Sequence, residues 1–205
     1  MYTPPGFVVN DRKTLHDFMD QNSFSTLISA DEHEPFASHL PLLIDRDRGP
    51  QGVLIGHFAR ANPHWQMANE QRVLIIFHGP HAYISPGWVQ STTMVPTWNY
   101  VAVHAYGVLR TVDDSCHARD ILTRMVSRYE SRRDQPWSMD LADDGFIDKL
   151  TSAIVGFEVE IDRLEGKWKL SQNHPTERRE QIISGLLDTV RADEARIARL
   201  MNETL

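Results

Sequence analysis

Cysteine is nearly absent from this sequence: Cys116 is the only one. No disulfide can form within the chain, and a reducing compartment, the cytoplasm, is the natural expectation. Long apolar runs are missing too, so no segment reaches the roughly 20 residues of a membrane-spanning helix. The opening MYTPPGF lacks the charged-then-apolar order of a secretory signal. Positive charge is in deficit, with 21 Lys and Arg against 28 Asp and Glu for a formal net charge of −7. A protein that grips DNA unaided usually shows a basic face, and none is visible here. The clusters Arg128, Arg132, Arg133 and Arg178, Arg179 sit among carboxylates and read as solvated helix faces.

Several chemistries lose their motifs. No Gly-x-Gly-x-x-Gly loop is present, which argues against a Rossmann nicotinamide site. No Gly-x-Ser-x-Gly elbow surrounds Ser85 or Ser171. His78 and His81 form an HxxH pair, with His57, His64 and His104 elsewhere, but Gly79-Pro80 separates the pair and no H-E-x-x-H occurs. These histidines read as packing or turn-capping groups, and no metal is expected. Glu158 and Glu160 share one face of an alternating segment, most simply its solvent face.

What is present suits an ordinary soluble domain, 41% hydrophobic and 24% charged over 205 residues. A helix is expected over residues 11–21. Strands are expected over 23–30 and 36–44, joined by a polar turn at 31–34 as a hairpin. Residues 53–65, VLIGHFARANPHW, read as a buried strand ending in a polar turn, with a short helix over 62–70. Arg60 and Asn62 at that turn could hold a phosphate through charged and amide donors; equally, the Arg could cap the turn and the Asn relieve its backbone. Residues 72–78 form a dense apolar strand that Gly79-Pro80 breaks, resuming over 82–84. Residues 97–112 give the longest alternation, then helices over 114–131 and 141–153. Residues 155–164 alternate strictly, Glu165-Gly166 turns, and 167–170 extend again. A last helix begins near Thr176 and runs almost to the C-terminus with a kink at Gly185. Antiparallel strands with helices in the connections indicate an α+β barrel. Trp65, Trp88, Trp98 and Tyr100 include flat walls suited to a planar ligand at a barrel mouth.

These blocks have a counterpart. SFSTLIS (23–29), SHLPLLID (38–45), GHFARANPHW (56–65), FHGPHAYISPGW (77–88), VPTWNYVAVHAYG (95–107) and IVGFEVEIDRLEGKWKLSQN (154–173) resemble the PaiB family of FMN-binding negative transcriptional regulators. The resemblance covers about residues 1–187, taken as an FMN-binding domain, with 188–205 as a C-terminal helical extension. It implies a mainly antiparallel split β-barrel with flanking helices, related to pyridoxamine-phosphate oxidase and the flavin reductases. It also implies a homodimer with FMN in clefts between subunits. By that analogy Phe58, Ala59, Arg60 and Asn62 contact the FMN phosphate, and His39, Leu40 and Pro41 lie along the flavin ring. Trp98, Asn99, Lys169, Ser171 and Gln172 would close the pocket from the other subunit. Val89 departs from the family pattern, where an aromatic residue is expected. The function implied is negative regulation of transcription, directly or through a partner. The alternatives are a flavin-dependent oxidoreductase and a haem-binding relative of the same barrel.

Overall fold

The computed structural model describes residues 1–30, 34–90, 92–112 and 114–205. Its strands are β1 (Val8–Val9), β2 (Phe24–Ala30), β3 (Pro35–Pro41), β4 (Leu43–Asp45), β5 (Val53–Ala59), β6 (Arg72–Ile84), β7 (Thr97–Val112) and β8 (Ile154–Lys169). The helices are α1 (Arg12–Gln21), α2 (His64–Ala68), α3 (Ser115–Glu130), α4 (Asp144–Ser152), α5 (Thr176–Leu187) and α6 (Ala192–Asn202). The strands join in the order β3-β2-β6-β7-β8-β5-β4, with β1 paired to β8. The registered pairs β1–β8, β2–β3, β2–β6, β4–β5 and β5–β8 are all antiparallel. The chain divides into two compact units, one of residues 1–18, 77–104 and 165–205, the other of residues 19–76 and 105–164.

In the second unit, β5 pairs with β8 along its whole length, from Val53↔Glu160 to Ala59↔Ile154. Leu43, Val53 and Ile55 pack beneath Ile121 and Met125 of α3, the apolar stripe that its sequence periodicity required. Phe58 and Phe157 meet with ring centroids 4.6 Å apart. Gly107 on β7 lies so close to β8 that a Cβ there would come within 2.1 Å of the Glu160 carbonyl oxygen; only a residue without a side chain lets the strands meet.

In the first unit, Phe18 lies 5.1 Å from Trp168. Ile182, Leu186, Ile197 and Met201 are buried among α5 and α6. Arg179, 6% exposed, donates to the carbonyls of Met201 (3.0 Å) and Thr204 (2.9 Å) at the C-terminal end of α6. The negative end of that helix thus holds a buried cation. Arg179 was expected on a solvated face; burial beside unsatisfied carbonyls is what its charge stabilises.

Besides β1, which the sequence pattern does not announce, the elements depart from that pattern at four places. The extended run over 36–44 is interrupted at Leu42, because the chain leaves the β2 ladder at Phe24↔Pro41 and joins β5 at Leu43↔Ile55. Leu42 fills the space above Gly56, where a Cβ would sit 2.4 Å from its Cδ2. β6 is not broken by Gly79-Pro80. It continues with its alternation slipped by one residue, so that Val73, Ile75 and Phe77 face inward before the slip, and Pro80, Ala82 and Ile84 after it. β8 likewise runs through Glu165-Gly166, because Gly166 pairs with Val9. The terminal helix is two helices parted at 188–191, where Val190 has φ +57°, not one kinked at Gly185. Gly185 instead receives the Trp88 ring, whose Cγ would lie 2.4 Å from a Cβ. Of the turn expected at 31–34, residues 31–33 lie outside the described residues.

Two outcomes follow from this packing. Arg179→Met removes charged donors from the last carbonyls of α6 and should cost about 1.5–3 kcal/mol in chemical denaturation; an unchanged midpoint would show the cap to be idle. Burial foremost lowers the pKa of His57, His64, His104 and His174. The unfolded chain takes up these protons near the ordinary histidine value of about 6.5. Their contribution to stability is therefore whole above that pH and is lost as pH falls through the lowered folded values. Denaturation midpoints at pH 7.5 and 5.5 should differ in that direction, and equal midpoints would show that these histidines protonate in the fold without cost.

Candidate functional site

The residues singled out from the sequence fall into two sets. His39, Leu40, Pro41, Phe58, Ala59, Arg60 and Asn62 belong to the unit of residues 19–76 and 105–164. Trp98, Asn99, Lys169, Ser171 and Gln172 belong to the other.

The first set is built on the β5–β8 ladder. Where β5 ends, the Arg60 N–H donates to the Ala153 carbonyl at 2.8 Å. Its guanidinium Nε and one Nη then donate to the carbonyls of Ser152 and Ile154, both at 2.9 Å. The Asn62 N–H closes the turn on the Ala59 carbonyl at 2.9 Å. The Trp65 indole N–H donates to the Arg60 carbonyl at 3.1 Å. Phe58 is wholly buried, whereas Ala59 and Arg60 are exposed. The turn is stapled to the start of β8, and Arg60, an exposed residue, marks its outer corner.

Asn62 ties this turn to β3: its amide donates to the Ser38 hydroxyl at 3.0 Å, and its carbonyl oxygen accepts the His64 N–H at 3.0 Å. His64 is wholly buried between the hydroxyls of Ser29 and Ser38, at 2.9 and 2.8 Å. Neither serine was singled out from the sequence, because a buried Ser–His–Ser arrangement leaves no spacing signature across three separate elements. His39 lies on the open face of β3, its ring near parallel to Phe24 at 6.5 Å and its Nδ1 3.1 Å from the Thr26 hydroxyl. The Leu40 carbonyl accepts the Ser25 hydroxyl at 3.1 Å, and Pro41 ends the strand.

Of the second set, Asn99, Lys169 and Ser171 line a cavity of about 290 Å³ together with Met94, Val95 and Thr97, and Trp98 and Gln172 lie off its wall. Asn99 is wholly buried, and its amide nitrogen donates to the Ser171 hydroxyl at 3.0 Å. That hydroxyl donates in turn to the Asn99 amide oxygen at 3.2 Å. Ser171 holds φ +61°, a left-handed conformation that costs a non-glycine residue of the order of 1 kcal/mol. Lys169 Nζ donates to the Thr97 hydroxyl (2.6 Å) and the Trp98 carbonyl (2.5 Å). Burial first, and the Lys167 charge second, lower its pKa. Trp98 is 53% exposed and stands edge-on to Tyr83 at 5.9 Å. Gln172 turns back on its own backbone, accepting from the Leu170 N–H and donating to the Trp168 carbonyl, both at 2.7 Å. It shapes the strand's exit, not the cavity wall. Thr97 and His174, also on the wall, were not singled out in the sequence: Thr97 sits within the block 95–107 beside the more distinctive Trp98-Asn99, and His174 lies one residue past the block 154–173.

The aromatic residues divide by role. Trp65 and Trp88 are structural, held by the Arg60 carbonyl and Gly185 respectively. Tyr100 lies under the Lys167 ammonium, 4.9 Å from it. Val89, where an aromatic was expected, is 8% exposed beside the Trp88 turn. Glu158, placed on a solvent face by its spacing, is clasped at both oxygens by Arg48 (2.8 and 2.6 Å), which lowers its pKa.

With this geometry in hand, comparison with known proteins is informative. Residues 1–163 match the family described as "Putative FMN-binding domain". The chain is 34% identical over 206 residues to protease synthase and sporulation protein PAI 2 of Bacillus subtilis, covering all of this chain and 98% of that one. Among solved structures, the FAD and heme binding protein from Mycobacterium smegmatis superposes with a TM-score of 0.61 at 15% identity, over 87% of this chain and 80% of that one. A flavocytochrome from Azotobacter vinelandii gives 0.60 at 13% identity, over 79% and 69%. The likeness to these structures is one of fold, that of the flavin-binding split barrels. By the match over most of its length and its full-length PAI 2 relative, the chain belongs to the FMN-binding family of PaiB-type proteins.

Proposed function

We propose that this protein is a homodimeric FMN-binding regulator that acts in negative control of gene expression through a partner. The observation that carries the cofactor is the family match over residues 1–163, joined to two donor sets of suitable chemistry. An exposed arginine stapled at a turn suits a phosphate dianion. A cavity with a lysine, a buried amide and a hydroxyl beside Phe7, Met94 and Val95 suits a flat ring with polar edges. The residues present therefore fit FMN, with Arg60 and Asn62 at the phosphate corner and His39–Pro41 along the ring. Trp98, Asn99, Lys169 and Ser171 would be contributed by the second subunit. When bound, the flavin would supply redox chemistry that no protein side chain offers.

The second subunit is argued from the open face of the second unit. The registers Thr26↔Ile76, Ile28↔Leu74 and Thr26↔His39 bring Ile28, Leu74, Ile76, Thr26 and His39 to one side of β2, β3 and β6. Phe24 on that side is 66% exposed. An exposed aromatic ring on the same sheet face as three half-buried aliphatic side chains is the kind of surface that takes a partner. The regulatory part leans on the PAI 2 relative, named for protease synthesis and sporulation. A route through a partner is favoured by charge. The net charge is −7, and at α6 Arg196 faces Asp193 at 3.7 Å while Arg191, just before the helix, faces Glu194 at 3.4 Å, so these two cations are answered by carboxylates and not offered to phosphates.

Titration of FMN by fluorescence quenching, together with sedimentation, tests the reading. The protein should sediment as a dimer and bind FMN. Arg60→Ala should weaken the affinity by about 1.5–3 kcal/mol, the range for a charge-assisted hydrogen bond, and Phe24→Glu should give monomers that lose FMN. A monomeric wild type, or affinity untouched by Arg60→Ala, would overturn the assignment.

A further inference from the structure

The buried His64 is more than packing. Among the described residues its hydrogen bonds and ring contacts include Ser29 on β2, Ser38 and Phe36 on β3, Phe58 on β5 and Asn62 in the turn. The Phe36 and Phe58 rings stand 4.7 and 5.4 Å away. Those partners carry no charge, and burial is the sole cause that lowers its pKa.

The hydrogen bonds close into a circuit whose direction is set by the ring tautomer. The Ser38 hydroxyl accepts from the Asn62 amide, and in the Nε2–H tautomer of the ring its one proton goes to His64 Nδ1, 2.8 Å away. His64 Nδ1 is then the acceptor, and Nε2 carries the ring proton and donates to the Ser29 hydroxyl. The His64 main-chain N–H returns to the Asn62 carbonyl oxygen. The ring is a neutral imidazole with both nitrogens engaged. Adding a proton at Nδ1 turns the ring from acceptor to donor toward Ser38, whose oxygen then accepts from both Nδ1–H and the Asn62 amide while its own proton loses its acceptor. The Ser38 hydroxyl must then turn to place that proton, and it is the group through which Asn62 ties the turn to β3.

We propose that His64 is a positioning residue for the anion-holding turn: neutral, it locks Asn62 and Arg60 in the geometry that receives a phosphate, and protonated, it releases that corner. The proposal rests on the assignment of FMN to this turn and adds how that site is held and how acidity would empty it.

The experiment measures FMN affinity from pH 8 to pH 5 for the full-length protein, His64→Gln, Ser38→Ala and Ser38→Thr, with circular dichroism confirming the fold of each. The FMN phosphate itself titrates near pH 6, and it does so equally for every variant, so the difference between curves isolates His64. At pH 7.5, His64→Gln and Ser38→Ala should weaken FMN at least tenfold, and Ser38→Thr, which keeps the hydroxyl, should restore most of it. On acidification the wild type should lose affinity faster than His64→Gln, so that the gap between them narrows. Parallel pH profiles, or a Ser38→Ala protein that binds like wild type, would overturn the positioning role while leaving FMN binding intact. A wild type that does not bind FMN at any pH would overturn the cofactor assignment and this inference with it. Should His64→Gln fail to fold, the Ser38 pair carries the affinity arm. Imidazole ¹⁵N shifts of the wild type provide a reading independent of flavin: they should report the Nε2–H tautomer, and an Nδ1–H tautomer would overturn the circuit.

Discussion

The pairing of β5 with β8 is the constraint on which the candidate site depends. Seven consecutive residues of β5 face β8 in register, and the ladder does not simply stop at Ala59. It is carried one step further by the Arg60 main chain and then by its guanidinium, which occupies the carbonyls of Ser152 and Ile154. A side chain thereby extends the ladder past the point where the backbone has turned away. A charge-assisted bond is stronger than a neutral one, so the turn inherits the rigidity of the sheet. Everything assigned to that corner, from the Asn62 amide to the His64 ring, is positioned relative to this staple.

The two donor sets differ in how they are kept in place. In the first, polarity is buried and closed on itself: Ser29, His64, Ser38 and Asn62 satisfy one another inside an apolar wall, an arrangement that low local dielectric makes strong when complete and costly when incomplete. In the second, polarity is turned toward a cavity. Lys169 is fixed by the Thr97 hydroxyl and the Trp98 carbonyl, and Ser171 is held in a left-handed backbone conformation with its hydroxyl on Asn99. Strain at Ser171 persists because Asn99, wholly buried, over-determines its side chain.

Much of this was legible in the sequence, and the exceptions have physical reasons. The alternation over 97–112 fixed β7 to the residue because its inward face carries one small or apolar side chain after another. Arg60 and Asn62 could be singled out because a charged and an amide residue follow a buried strand. Their partners could not be found the same way: the carbonyls of Ser152 and Ile154 belong to the backbone, which has no sequence signature, and Ser38 lies on another strand. Gly79-Pro80 and Glu165-Gly166 misled for a common reason. Local turn propensity reads as a break, but in β6 the proline sits at a slip in the alternation, and in β8 the glycine is held by pairing with Val9. Gly185 misled in the opposite way, since its small size serves the Trp88 ring and not the helix axis. The family resemblance supplied the cofactor and the expectation of a dimer, neither of which composition or periodicity could name.

The slipped phase of β6 sets a rule for how this stretch of chain can change over evolutionary time. Odd-numbered side chains point inward up to Phe77 and even-numbered ones from Pro80 onward. The residues between work as a one-residue gear change, with Gly79 lying where a Cβ would meet the Phe18 ring at 2.6 Å. Losing or gaining a single amino acid there would invert the inside and outside of half the strand in one stroke. Point replacements on its outer face are tolerable; a shift in spacing is not. The distance in residues between Phe77 and Pro80 is therefore as much a part of the fold's specification as the identity of either.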